Sequence, residues 1–370
     1  IINQDKKTGI ITMSQEQRIE KLAELFSIES NVKARTPLPV DKKQLDAIMT
    51  LDCTTLGEKK GDEMSLQKQK MVIKKINKDK LLPNFKTYAE VITYYRSYTG
   101  NLIYLCGYGR CDVQSCVYRL ARYQEYPGIE HIYAARHIIQ YLYNTKSRVM
   151  KFGQQEMDDI LCCFSDSSFA DCPATGRSTG GYVHYLCGDY LASRSFKINC
   201  VTRSVTEAEF YTLSAAAADS IYYRNLWNNT LRPIVNFNKK KLKSGDVIGK
   251  VNIIHSGFKQ GQEHLLRQDV HPFMWMDDAD PSIYGDNSSA NGQALRGSNK
   301  RSKHIRIHNS YIWEQIHIFK TIRVGKVDTK WNSADLQTKV LGKELFEYHS
   351  RTMMGENTTK CKINSVTLSK

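Results

Sequence analysis

The hydrophobic pattern divides the chain into two regions with different periodicities. From about residue 88 to residue 146, Ile, Leu, Tyr and Ala recur at helical spacing, as in IEHIYAARHIIQYLYNT. Residues 1–45 predict a short hairpin, a helix around Gln15–Phe26 and an extended TPLPV segment. Residues 46–80 are polar and rich in lysine, which favours a mobile insertion. Residues 1–155 therefore predict a mainly helical region.

The pattern changes near residue 151. Three strands are predicted, in ILCCFSDSSFA, TGGYVHYL and YLASRSFK, and a helix follows from Ser204. Residues 231–280 are basic and without a clear period, which indicates an insertion. Beyond it we predict a strand SIYGDN, a helix from Ser288, a helix through RSKHIRIHNSYIWEQI, a strand IRVGKVD and a final helix SADLQTKVLGKELFEYH. This order predicts an α/β domain with a mixed sheet in residues 156–355, followed by a tail, 356–370.

The helix that begins at Ser204 carries a carboxylate on its apolar side. At about 100° per residue, Leu213 and Ala216 lie on the same side as Glu209, whereas Glu207 lies about 160° away, on the face predicted to be wet. An unpaired buried carboxylate is costly. Glu209 is therefore expected either to form a buried ion pair with Lys or Arg, or to bind a metal ion.

Charge and cysteine content narrow the possible functions. The 53 Lys and Arg residues exceed the 38 acids and give a net charge of +15, which favours a polyanionic partner such as nucleic acid, although a basic surface without function fits equally well. The 10 cysteines include no CxxC pair, which argues against structural zinc and favours a reducing compartment. The sequence shows no signal peptide and no membrane span, and it starts as if within a longer polypeptide.

Three further acids occupy positions comparable to that of Glu209. Asp166 lies at the end of the first predicted strand, Asp286 ends the strand SIYGDN, and Asp335 begins the last helix. Each alone could be a strand-end, turn or helix-cap residue. Four converging carboxylates, however, would require hard divalent cations, and two such ions about 4 Å apart can promote phosphodiester hydrolysis.

Several motifs, in a shared order, resemble the C-terminal part of a Pol polyprotein of Ty1/copia-type LTR retrotransposons. They are FSDSSFAD, GRSTGGYVHYL, SVTEAEFYTL, YGDNSSA, KHIRIHNSYI and SADLQTKVLGKELF. Upstream, ITMSQEQRIEKLAELF, YYRSYTGNLIYL and YPGIEHIYAARHIIQYL match its reverse transcriptase thumb and connection region. The resemblance covers most of residues 1–355 and implies a thumb/connection region (1–155) followed by a ribonuclease H-like domain with a five-stranded mixed sheet.

The resemblance also implies function. The metal-binding acids of the family fall on Asp166, Glu209, Asp286 and Asp335, which would hold two Mg²⁺ ions, with Mn²⁺ as a substitute, and hydrolyse the RNA of RNA–DNA hybrids. Candidate substrate contacts are His304, Lys303, Asn287 and Arg177, although a packed or capping role is favoured for His304. The reverse transcriptase fingers and palm would lie upstream of this chain, and the location would be intracellular, in a cytoplasmic virus-like particle and the nucleus.

Three departures from the family pattern keep an alternative open. GRCD (109–112) replaces TRPD, the tryptophan of the family is missing from LASRSFK, and the insertion 231–280 is long. A decayed, non-enzymatic nucleic-acid-binding remnant therefore remains the alternative. An integrase-like protein would show the order D, D, E rather than D, E, D, D. The segment MWMDDAD (274–280) lacks the tyrosine of a polymerase signature and is predicted to be loop.

Overall fold

The computed structural model describes residues 1–29, 31–50, 66–153, 159–173, 175–231, 281–297 and 305–356. The predicted N-terminal hairpin is present, and a third strand extends it into a small antiparallel sheet in the order β1-β2-β3. The elements of this region are β1 (Ile2–Gln4), β2 (Ile11–Met13), α1 (Glu16–Leu25), α2 (Lys42–Thr50), α3 (Leu66–Ile76), α4 (Tyr88–Gly107), α5 (Gln114–Ala121), α6 (Ile129–Asn144) and β3 (Met150–Phe152).

The polar stretch 46–80 is not wholly irregular. Helix α2 covers its beginning, and α3 covers residues 66–76. Ile76 is fully buried, so α3 contributes to the core instead of forming part of a mobile insertion. Residues 51–65, between the two helices, lie outside the described part of the chain.

The second region contains the predicted five-stranded mixed sheet. Its strands are β4 (Leu161–Ser168), β5 (Thr179–Leu186), β6 (Asp189–Lys197), β7 (Ser282–Gly285) and β8 (Arg323–Lys326), in the order β6-β5-β4-β7-β8. The first three strands are antiparallel neighbours, whereas β7 and β8 run parallel to β4. An α/β fold with a mixed sheet is thereby confirmed. Most of the basic insertion, 232–280, and the segment MWMDDAD within it lie outside the described residues.

Helices flank the sheet on both faces. They are α7 (Val205–Leu226), α8 (Ser288–Arg296), α9 (Arg306–His317), α10 (Asp335–Thr338) and α11 (Lys343–Met353). The prediction of one final helix was wrong, because the chain becomes extended at Lys339 and a new helix starts after Gly342. Because of this break, α10 is a single helical turn that carries Asp335. Its orientation against the sheet is therefore independent of that of α11.

Two hydrophobic cores lie on opposite faces of the sheet, since neighbouring residues of a strand point to opposite sides. Cys163 of β4 packs with Phe210 in one core, which α7, α8 and α9 cover. Phe164 packs in the other core, which is continuous with Leu102 and Ile138 of the N-terminal helices. The N-terminal helical region and this second face of the sheet therefore share a hydrophobic core. In the described part of the chain, no helix has the length and apolar character that crossing a membrane requires.

Candidate metal centre

The register of the sheet places two of the predicted acids side by side. Strand β4 runs parallel to β7, with Ser165 opposite Gly285. Asp166 is the next residue of β4, and Asp286 directly follows β7, so both lie at the same edge, where parallel strands of α/β proteins form sites. Asp166 is buried, with 1% of its surface exposed, whereas Asp286 is half-buried.

Glu209 reaches this edge from α7. The helix begins at Ser204, whose side chain accepts a hydrogen bond from the backbone N–H of Glu207. Glu209 follows in the first two turns, is 6% exposed and accepts a hydrogen bond from the backbone N–H of Ser167 at 3.2 Å. One carboxylate oxygen each from Asp166, Glu209 and Asp286 lies within 4.8 Å of the others. We call these three residues the acidic triad.

The triad shows the electrostatic signature of crowded carboxylates. Burial, together with the charges of Asp166 and Asp286, raises the pKa of Glu209 from 4.5 to about 8. Burial and the charge of Asp335 raise the pKa of Asp166 from 3.8 to about 7, although Lys339 opposes the shift. In the absence of a divalent cation, the folded protein therefore holds protons at this edge near neutral pH.

The ion-pair explanation of Glu209 finds no support among the described residues. None of the Lys or Arg side chains in the described segments lies within ion-pair distance of Glu209 or Asp286. Hard divalent cations such as Mg²⁺ and Mn²⁺ prefer oxygen ligands. The donor set, its mutual distances and the lack of a basic partner for Glu209 and Asp286 among the described residues therefore fit a divalent cation.

Asp335 lies beside the triad but outside the group that converges within 4.8 Å. It is the first residue of α10, is 5% exposed, and accepts a hydrogen bond from the ammonium of Lys339 at 2.8 Å. The same ammonium lies 3.2 Å from Oδ2 of Asp166. Lys339 thus joins the fourth predicted acid to the triad.

Two glycines of β5 allow two helices to pack closely against the strand beside the site. A Cβ on Gly181 would lie 2.6 Å from the Cβ of Gln337, because α10 packs directly against β5. On the opposite side, a Cβ on Gly180 would lie 2.5 Å from Oγ1 of Thr212 in α7. Since Gly181 pairs with Asp166, the TGGY segment brings both acid-bearing helices close to the end of β4.

Glu207 is not on a wet face, so that part of the helical-phase prediction was wrong. It is only 5% exposed, and its Oε2 accepts a hydrogen bond from the backbone N–H of Arg203 at 2.7 Å. Together with the cap from Ser204, this arrangement is close to a capping box, in which the glutamate folds back over the helix end. The helical phase alone misplaced Glu207 because a residue in the first turn can be covered by the chain that precedes the helix.

The predicted substrate contacts are placed only in part. The side chain of Asn287 caps α8, accepting from the backbone N–H groups of Ser289 and Ala290. Arg177 is half-buried in the loop before β5, and its carbonyl accepts from the backbone N–H of Cys172. Lys303 and His304 lie outside the described residues. These contacts remain predictions.

Sequence reasoning missed three buried polar residues around the acids. Asn291 donates to the carbonyls of Gly285 and Gly325 and so ties β7 to β8 next to Asp286. Asn332 donates to the carbonyl of Ser165, next to Asp166. His349, 1% exposed, has no hydrogen-bond partner for its ring nitrogens among the described residues, and burial lowers its pKa to about 4 despite the charge of Asp335. Of the three, only Asn332 could have been found from the sequence, because it directly precedes the SADLQT motif.

The site therefore combines a mixed α/β sheet with a buried carboxylate cluster at its edge. The chain is similar to the retrovirus-related Pol polyprotein from transposon TNT 1-94 of Nicotiana tabacum, with 23% identity over 347 residues, 94% of this chain and 20% of that protein. It is 26% identical over 260 residues to the corresponding protein from transposon RE2 of Arabidopsis thaliana, covering 70% of this chain and 15% of that protein.

A shorter match of higher identity is the putative transposon Ty5-1 protein of Saccharomyces cerevisiae. It is 36% identical over 126 residues, which are 33% of this chain and 40% of that protein. No family model matches the chain, and no solved structure matches it significantly. The resemblance inferred from the motifs is confirmed, since the relatives of this chain include retrovirus-related Pol polyproteins from copia-like transposons. The chain spans only a fraction of the length of each of these three relatives.

Proposed function

We propose that this chain is the ribonuclease H part of a copia-type Pol polyprotein, which hydrolyses the RNA strand of RNA–DNA hybrids with two Mg²⁺ ions. One observation carries the proposal. Glu209 is buried against Asp166 and Asp286 with no basic partner among the described residues. Such a cluster does not stabilise the fold by itself, because buried carboxylates without a compensating charge are costly.

Two further observations support the proposal. The sheet begins with three antiparallel strands and continues with two parallel ones, as the ribonuclease H-like interpretation of the sequence requires. The relatives are Pol polyproteins, in which hydrolysis of the RNA in hybrids would accompany reverse transcription. The reverse transcriptase fingers and palm would then be partners of this chain, and the intracellular particle in which reverse transcription occurs would be its location.

The residues divide the work as follows. Asp166, Glu209 and Asp286 would hold one divalent cation, and Asp166 with Asp335 would hold the second. When bound, the two cations would supply an activated water and would stabilise the leaving oxygen of the phosphodiester. Asn291 and Asn332 fix the strand ends, so the carboxylates stay in place while the substrate exchanges. The net charge of +15 favours binding to the backbone of the hybrid without sequence preference.

The departure at GRCD does not disrupt the interaction that this segment makes. Arg110 pairs with Asp112 through two hydrogen bonds of 3.0 and 2.9 Å, and both side chains are fully buried. The hydroxyl of Tyr141 donates to the same carboxylate at 2.8 Å. The Arg and Asp that this segment shares with TRPD therefore still form a buried ion pair, which weakens the case for a decayed remnant.

A cleavage assay tests the proposal. The full chain is incubated with a hybrid whose RNA strand is labelled, in the presence of Mg²⁺, of Mn²⁺ or of EDTA, with duplex DNA as control substrate. We expect cleavage of the RNA strand with either cation and none with EDTA. Salt-sensitive binding of the hybrid without cleavage under any of these conditions would instead support the non-enzymatic remnant.

A further inference from the structure

Lys339 occupies an unusual place in the candidate metal centre. Its ammonium lies 2.8 Å from Oδ1 of Asp335, and 3.3 and 3.2 Å from Oδ1 and Oδ2 of Asp166. It therefore bridges two carboxylates that a direct hydrogen bond does not join. Thr338, the residue before it, donates through its hydroxyl to Oδ2 of Asp166.

Asp166 consequently faces two different cation positions. On one side it belongs to the triad with Glu209 and Asp286, for which the described residues supply no cation. On the other side it shares the Lys339 ammonium with Asp335. Among the described residues, a positive charge therefore lies at the second position, and none lies beside Glu209 and Asp286 at the first.

We propose that the Lys339 ammonium occupies the position of the second divalent cation, between Asp166 and Asp335, and must leave before that cation binds. The inference rests on the proposed function, since it assigns an order to the two cations. The first ion enters the triad without displacing any side chain. The second ion competes with a fixed positive charge and binds more weakly.

The environment of Lys339 allows it to leave. Its side chain is 37% exposed, whereas those of Asp166 and Asp335 are 2% and 8% exposed, so the ammonium has a direct path to water. The residue follows the last turn of α10 and has extended backbone. Lysine carries a compact charge on a flexible stem, which can withdraw without moving the main chain. An arginine would bind both carboxylates more rigidly.

This arrangement gives the metal-free protein a way to tolerate four crowded acids. Without Lys339, Asp166 and Asp335 would repel each other in a largely buried site. The ammonium thus preserves the position of α10 until the second cation replaces it. We therefore expect Lys339 to oppose cation binding and to stabilise the empty site at the same time, which a purely structural ion pair would not do.

The test is a titration of the full chain with Mn²⁺ in the absence of nucleic acid. Isothermal titration calorimetry and electron paramagnetic resonance measure the binding. The variant is Lys339→Gln, and the control is Lys343→Gln, which removes an exposed charge four residues away. We expect Lys339→Gln to tighten the second binding step about tenfold, because the ion no longer competes with an ammonium for the same oxygens. The melting temperature in EDTA should fall, and Mn²⁺ should restore it. Lys343→Gln should match the wild type.

A second variant keeps the test decisive if Lys339→Gln does not fold. Lys339→Arg retains the charge and should weaken the second step, since a guanidinium holds two carboxylates more firmly. If the second binding step is unchanged in both Lys339 variants, the inference is overturned. The proposed function is then still supported if Asp286→Asn removes the first binding step. A wild-type protein that binds no Mn²⁺ would overturn the proposed function, and the inference with it.

Discussion

At the scale of single residues, Glu209 and Glu207 show how two neighbouring carboxylates of one helix acquire different roles. Both are buried, at 6% and 5% exposure. Glu207 accepts a backbone hydrogen bond from Arg203 at the helix start, whereas Glu209 faces Asp166 and Asp286. Burial therefore does not distinguish the roles of the two carboxylates. Their roles differ because their neighbours differ.

Glu209→Gln should abolish cleavage and leave the fold intact. Glutamine keeps the size and the acceptor for the Ser167 N–H, but it lacks the charge that a divalent cation requires. Because one of several mutually repelling carboxylates is removed, the melting temperature without metal should rise above about pH 8, where Glu209 of the wild type is ionised. Cleavage rate and melting temperature in EDTA are the measurements.

Glu207→Gln is the matched control. Glutamine also serves in a capping box, so activity and stability should stay close to those of the wild type. If Glu209 were instead half of a buried ion pair, Glu209→Gln would destabilise the protein by about 3–5 kcal/mol. Such a loss, or persistent cleavage by the variant, would contradict the assignment of Glu209.

The raised pKa values predict how the stability of the metal-free protein depends on pH. The pKa values rise from 3.8 to about 7 for Asp166 and from 4.5 to about 8 for Glu209. In this window the folded protein binds more protons than the unfolded chain, so the free energy of unfolding falls as pH rises. The contribution of the two acids is fully present below the unfolded values and is lost above about pH 8.

Urea unfolding in EDTA, compared between about pH 5 and about pH 8, measures this dependence. The wild type should lose more stability over the window than Glu209→Gln, which lacks one of the two titrating groups. Mg²⁺ should reduce the loss, because it stabilises the ionised carboxylates. Equal pH dependence in the two proteins would show that Glu209 is not protonated in the folded state.

At the scale of elements, the position of Asp335 depends on how closely α10 approaches the sheet. Gly181→Ala would place a Cβ against Gln337 and Thr338, at 2.6 and 2.8 Å from their side-chain atoms. We expect a loss of about 1–3 kcal/mol in the free energy of unfolding. Cleavage should fall further than stability explains, because α10 carries Asp335 away from Asp166.

Gly100→Ala is the control for Gly181→Ala. Gly100 lies within α4, and a Cβ there would meet no atom within 4 Å. Alanine should stabilise this helix by about 0.5–1 kcal/mol. Chemical denaturation and the cleavage rate of the folded protein distinguish the two positions, and a Gly181→Ala protein with normal activity would show that α10 adapts without cost.

At the scale of the whole molecule, the N-terminal region supports the candidate metal centre directly. From α5, the Ser115 hydroxyl donates to the carbonyl of Leu336 at 2.6 Å, and the Arg119 guanidinium donates to that of Thr338. Arg119 also pairs with Asp171 at 2.8 Å in the loop after β4. Two carbonyls of the short helix that begins with Asp335 are thus held from outside the sheet.

We therefore expect a fragment of residues 156–356 to be neither stable nor active on its own. It would lose the contacts from α5 and expose the apolar surface that packs against Leu102 and Ile138. The full chain should unfold in one transition that includes both regions. Calorimetry of the full chain and hydrogen exchange of the fragment test this expectation, and a folded, cleaving fragment would contradict it.

The sequence determined the elements and their order in the sheet region, because each has a strong local signal. The alternation or continuous apolarity of β4–β8 defined the strands, and the spacing of apolar residues placed Glu209 inward. The motifs were also sufficient to indicate the relatives. SADLQTKVLGKELFEYH was predicted as one final helix, whereas the chain is extended at Lys339 and α11 begins after Gly342.

Tertiary structure alone decided what surrounds the acids. Strand register places Asp166 beside Asp286, and close approach at Gly181 brings Lys339 between Asp166 and Asp335. Ser115 and Arg119 reach the same site from more than 200 positions earlier in the chain, as the separations of 221 and 219 residues from their partners show. Such contacts leave no periodic trace in the sequence, because they depend on where distant segments meet rather than on the order of residues within one segment.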